Sequence, residues 1–137
     1  MRRALVAALA SASLVAPAST AAAHEAKIVP VRLCNYDWRA GTWQIKQLTK
    51  CAASRWDNPG TPDQAIAVAD CESNLNPRAH HSSGYASLFQ QSTLYWPGRA
   101  NQWGQDDRSV FNGRANIIVS IRMAHASGSW SQWAGCA

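Results

Sequence analysis

The chain has 137 residues, of which 47% are apolar and 15% charged, and its 13 Lys and Arg against 8 Asp and Glu give a net charge of +5. The basic residues are dispersed, so the concentrated patch expected of a nucleic-acid-binding surface is absent, and no segment reaches the ~20 consecutive apolar residues of a membrane-spanning helix. What remains is a chain long enough for one soluble domain with one core.

Arg2 and Arg3, an apolar run from Ala4 to Val15 and a small-residue tract ending Ala21-Ala22-Ala23 have the three-part layout of a secretory signal, with cleavage expected after Ala23. Without Arg2 and Arg3 the chain from His24 to Ala137 keeps 11 Lys and Arg against 8 acidic residues, a balance of +3 that helps approach to an anionic cell envelope. The expectation is therefore an exported protein, secreted or associated with the cell wall, with no membrane attachment once the signal is removed. Four cysteines, Cys34, Cys51, Cys71 and Cys136, read as two disulfides in a small exported domain. Of the three possible connectivities, Cys34–Cys51 with Cys71–Cys136 is favoured: the first staples the N-terminal segment to the next helix, and the second ties the end of the chain beside Glu72. A zinc site is the rival, but the spacings contain no C-x2-C pair; no metal or other cofactor is expected.

Residues 24–41 read as an N-terminal extension, in which Pro30 argues against a central strand, and residues 42–137 as a single domain. Thr42 is expected to cap a first helix, because Ile45, Leu48, Ala52 and Trp56 recur at helical spacing as far as the Asn58-Pro59-Gly60 stop. Thr61 then caps a second helix, with Pro62 at its first position and Gln64 completing a capping box; Asn74 and the Asn76-Pro77 pair end it. On that helix Ala65, Val68 and Glu72 fall at i, i+3 and i+7, so the carboxyl group extends a small apolar stripe at the helix's negative end. Both surroundings disfavour the ionised form, which makes Glu72 a candidate general acid. The plain alternative is a surface glutamate near a helix end.

Arg78 to Ser83 reads as a polar loop with exposed His80 and His81. Gly84 to Gln91 follows, either lining a groove with its amides or serving as a connector that sends Leu88 and Phe89 into the core. Trp96 to Trp103 suggests a short helical turn, and Gly104 to Ser109 a polar loop containing Asp106 and Asp107. Asn112 is expected to cap the last long helix, Gly113 to Ser127, which stops at Gly128. Ile117, Ile118, Ile121 and Ala124 form its core stripe, while Asn112, Asn116, Ser120 and Ser127 form a polar one that is either solvated or lines a cleft. The tail from Trp130 to Cys136 returns two indoles to the body.

Taken together, Cys71-Glu72-Ser73 with Asn76-Pro77, then Gly84 to Gln90, then Ala115-Asn116, resemble the successive motifs of the lysozyme-like soluble lytic transglycosylase family. The Cys-Glu-Ser start and the Trp-rich end at Cys136 are also similar to the resuscitation-promoting factors, small actinobacterial relatives with a disulfide between corresponding cysteines. The resemblance spans Ala65 to Cys136. It implies that Glu72 is the single catalytic glutamate, Ser73 its orienting neighbour, Gln90 the glutamine closing the second motif and Asn116 the asparagine of the third. Tyr85 is expected to join Gln90 and Asn116 in binding N-acetylated sugars, with some of the seven tryptophans walling the groove and most of them in the core. Ser87 stands where the family usually has a glycine, Ser120 where a glycine or alanine is usual, and only Trp130 or Trp133 is placed to substitute for a late tyrosine.

Ordinary glycoside hydrolysis needs two carboxyl groups. Asp70 lies two residues from Glu72, about 200° around a helix, and points away; Asp106 and Asp107 remain as loop-borne partners. The resemblance implies instead that one carboxyl serves as acid and then base on peptidoglycan, giving 1,6-anhydromuramoyl ends. A hydrolytic muramidase using Asp106 or Asp107 is the nearest rival, and a non-catalytic peptidoglycan-binding module is the alternative from another class. The expected fold is a mainly helical, lysozyme-like α+β domain, monomeric, packed around the Gly113 to Ser127 helix, with at most a vestigial sheet.

Overall fold

The computed structural model describes residues 34–137; the signal reading of 1–23 and positions 24–33 of the extension lie outside these residues. Four α-helices and one small antiparallel sheet make a mainly helical α+β fold. Helix α1, Thr42–Arg55, buries Ile45, Leu48 and Ala52 as their spacing predicts. Two of its boundaries differ from expectation. Gly41, with φ of 119°, is the N-cap and Thr42 the first helical residue. The helix also ends three residues before Asn58, because Asp57 takes a left-handed φ of 50° and the buried Asn58 amide turns to donate to the Pro59 and Thr61 carbonyls, each at 3.2 Å.

Helix α2, Pro62–Ser73, has the start written in its sequence: the Thr61 hydroxyl accepts from the Gln64 N–H, and Pro62 occupies the first turn. Its end is set by Asn74 in the left-handed conformation, followed by Leu75 at φ 56°. Asparagine tolerates that region, whereas leucine rarely adopts it; here the Leu75 side chain is buried in the core. Helices α1 and α2 pack on each other and α1 also packs on α4, Gly113–Ser127, so the central layer is built from these three. Asn112 caps α4 through the Ala115 N–H at 3.1 Å, and Gly128 closes it at φ 67°.

Strands β1, His80–His81, β2, Tyr85–Ala86, and β3, Gln91–Ser92, pair in that order, with Ala86 opposite His80 and Gln91. The stretch expected as a loop around His80 and His81 is thus the outer strand of this sheet, and both histidines are exposed as anticipated. Helix α3, Trp96–Gln102, is the short helical piece read from the sequence.

Of the three connectivities left open, both disulfides are the favoured ones, Cys34–Cys51 and Cys71–Cys136. Closing loops of 17 and 65 residues stabilises the fold by about 3 and about 4 kcal/mol in the chain-entropy model. Such bonds suit an oxidising compartment, and no helix among the described residues is long and apolar enough to cross a membrane. Residues 34–41 of the expected extension dock onto the domain: Arg114 donates to the Cys34 carbonyl at 2.6 Å, and Trp38 lies over the first turn of α4. A Cβ at Gly113 would come within 2.8 Å of that indole, which is why glycine occupies the first position of α4.

Of the seven tryptophans, Trp96, Trp130 and Trp133 are buried, Trp38, Trp56 and Trp103 are half-buried, and Trp43 is exposed. The tail does return two indoles. Trp130 stacks on Phe89 with ring centroids 6.1 Å apart, and Trp133 meets both rings edge-on.

Candidate functional site

The loop Ser87 to Gln90 joins β2 to β3 through the interior, and its side chains Ser87, Leu88 and Phe89 are fully buried. Buried peptide groups must find partners. The Ser87 N–H donates to the Ala79 carbonyl at 2.7 Å. The Ser73 hydroxyl, at the end of α2, donates to the Leu88 carbonyl at 2.8 Å and has the Ala69 carbonyl at 3.0 Å. From α4, the Asn116 side-chain oxygen accepts from the Phe89 N–H at 2.9 Å while its amide donates to the Val110 carbonyl at 3.2 Å. The Trp133 indole of the tail donates to the Phe89 carbonyl at 2.7 Å. Three separate elements therefore hold successive peptide groups of one loop.

The loop delivers Gln90, whose side-chain amide donates back to the Ser87 carbonyl at 2.9 Å. Gln90 and Tyr85 line an open cavity of about 650 Å³ together with Glu72 and Trp133. The structure thus brings Glu72, Tyr85 and Gln90 to one place. It does not put Ser73 or Asn116 there: Ser73 is 8% exposed and Asn116 fully buried, and both act behind the cavity wall by fixing the loop. The polar stripe of α4 is accordingly neither solvated nor part of a cleft at Asn116 and Ser120. Ser120 is also fully buried and accepts from the Gln91 amide at 2.7 Å.

Glu72 sits in the last turn of α2, half-buried, and burial raises its carboxyl above the ordinary glutamate value. Removal from water penalises the charged form, so the acid is held neutral to higher pH. The adjoining Cys71–Cys136 bond anchors the tail that carries Trp133, making the indole a fixed wall. Among the described residues no second carboxylate lines this cavity. Asp70 is exposed on α2, and Asp106 and Asp107 line a different cavity, beside Trp96 and Arg108. Among the described residues no three His, Cys, Asp or Glu side chains gather as a metal ligand set.

Sequence reasoning missed several cavity residues, among them His81, Gln91, Tyr95 and Arg99. Arg99 donates to the Gln91 side-chain oxygen at 2.7 Å, so Ser120, Gln91 and Arg99 form a relay from the core to the cavity. No local period links positions 91, 99 and 120. A buried glutamine in a two-residue strand was the sole hint, and it is visible only once the strand is placed.

Ser87 has a φ of 68°, in the left-handed region that favours glycine, and its buried hydroxyl has no hydrogen-bond partner among the described residues. Comparison of the chain with protein-family models, with curated proteins and with solved structures returns no match.

Proposed function

We propose that this protein is a secreted lytic transglycosylase of lysozyme-like fold, cleaving the β-1,4 bond between N-acetylmuramic acid and N-acetylglucosamine in peptidoglycan. The observation that carries this reading is a half-buried carboxyl, raised in pKa by burial, that is the one carboxylate lining its cavity among the described residues. A volume of about 650 Å³ lies within the range of small-ligand sites.

In the first step the protonated Glu72 gives its proton to the bridging oxygen, and the bond from that oxygen to C1 of the muramoyl sugar breaks. In the second, the Glu72 carboxylate takes the proton of the muramoyl 6-hydroxyl, whose oxygen bonds to C1 and closes the 1,6-anhydro ring. The acid is regenerated, and no water and no second carboxylate are consumed. Gln90 and Tyr85 supply polar and aromatic contacts to the N-acetylated sugars, with Trp133 as a wall. Ser73 and Asn116 serve the site as positioning residues for the Gln90 loop.

The test is digestion of purified peptidoglycan followed by mass spectrometry of the released muropeptides. Anhydro-muramoyl ends are expected, and Glu72→Gln is expected to lower their rate by about 10²-fold or more. Reducing ends without anhydro sugars would overturn the transglycosylase reading in favour of a hydrolytic muramidase. Retention on insoluble peptidoglycan with no soluble fragments, unchanged in Glu72→Gln, would make the chain a glycan-binding module.

A further inference from the structure

The cavity that contains Glu72 also contains an uncompensated guanidinium. Arg99 is half-buried, and among the described residues the ion pairs join Arg39 to Asp37 and Lys50 to Asp63, leaving Arg99 with none. Its hydrogen bond goes to a neutral oxygen, that of Gln91, itself 1% exposed and fixed by Ser120. Tyr95 lies beside it, with the guanidinium carbon 5.5 Å from the ring centroid. Glu72 lines the same cavity but forms no ion pair with it.

A partly desolvated cation without a counter-ion favours a ligand that supplies one. Of the five N–H donors of a guanidinium, the described residues engage one here, and the remaining fork matches a carboxylate. A cation held by a buried relay is preorganised, so little freedom is lost when an anion arrives.

We infer that Arg99 is a carboxylate-recognition site within the Glu72 cavity, so that the chain selects glycans bearing a carboxylate over neutral ones. This deepens the proposed reading and rests on the cavity being a glycan site. Two sources in peptidoglycan carry the group: the lactyl carboxylate of muramic acid without a stem, and the carboxyls of the stem peptide. A neutral chitooligosaccharide carries neither.

The experiment measures Kd by tryptophan fluorescence for three soluble probes: chitohexaose, a peptide-free peptidoglycan strand of equal length, and the same strand with its stems. Wild type, Arg99→Gln and Arg99→Lys are compared at low and raised salt. Arg99→Gln is expected to weaken a carboxylate-bearing strand about 10- to 100-fold, the loss that follows from one charged hydrogen-bonded pair. Arg99→Lys recovers part of that loss, and chitohexaose affinity changes by less than about threefold, the difference expected when no charged pair is lost. Preference for the peptide-free strand assigns the lactyl source, and preference for the stem-bearing strand assigns the peptide source. A wild-type chain that holds neutral and anionic strands alike, or neither, overturns the inference, as does an equal loss for all probes in Arg99→Gln. Failure of the transglycosylase reading alone looks different: carboxylate selectivity persists while no anhydro product is released.

Discussion

Replacing Asn116 by alanine separates its two possible roles, because the structure makes it a clasp between α4 and the Gln90 loop and the motif resemblance makes it a sugar ligand. The residue is fully buried, and its side chain satisfies two backbone groups, the Phe89 N–H at 2.9 Å and the Val110 carbonyl at 3.2 Å. Truncation leaves both without partners, at a cost of about 1–3 kcal/mol each, or roughly 3–4 kcal/mol together with ordinary relaxation. That is a large share of the ~5–15 kcal/mol that holds a domain of this size. With a urea slope of about 1.5–2 kcal/mol per molar, the unfolding midpoint should fall by roughly 2 M, as read by tryptophan fluorescence. Loss of glycan cleavage should follow from displacement of Phe89 and Gln90. A midpoint within about 0.3 M of the parent, a shift worth only ~0.5 kcal/mol on that slope, combined with lost glycan binding would refute the reasoning and return Asn116 to the role of ligand.

Ser87→Gly should stabilise the protein, because it relieves a left-handed φ of 68° and removes a buried hydroxyl without a partner. Set against the greater chain entropy of glycine, the net gain is about 1 kcal/mol, or ~4–8 °C in Tm by calorimetry, and a lowered Tm would contradict it. Glu72→Gln should stabilise the fold at neutral pH but not in acid. Burial raises the folded-state pKa, so the stability from Glu72 is complete below its unfolded value and declines as pH rises through the folded one. Melting curves of parent and variant should therefore converge below about pH 4 and separate toward pH 7, with the variant higher; a parent that gains on the variant as pH rises would reverse the sign.

Local chemistry was enough to determine the helix starts and stops where a side chain closes its own backbone. The Thr61 and Asn112 caps and the stops at Asn74 and Gly128 are decided within four residues and appear as read, although of the capping box expected with Gln64 only the bond from the Gln64 N–H to the Thr61 hydroxyl is formed. The sequence left three disulfide connectivities open, and the fold selects the favoured one by bringing Cys34 to Cys51 and Cys71 to Cys136. The end of α1 was not legible, because Asn58 forms its hydrogen bonds across the turn to Pro59 and Thr61 and is buried in doing so.

Glu72 could be singled out from sequence because helix phase and helix end act on it directly. Its neighbours could not. Whether Asn116 faces a sugar or a peptide group depends on where the Phe89 loop passes relative to α4, and positions 89 and 116 are 27 residues apart. The exclusion of Asp106 and Asp107 from the cavity and the entry of Arg99 through Gln91 and Ser120 are likewise matters of packing. Periodicity tells which side of a helix is dry, whereas only the assembled fold tells what the dry side touches, because partners of a buried polar group are chosen by long-range closure of the chain.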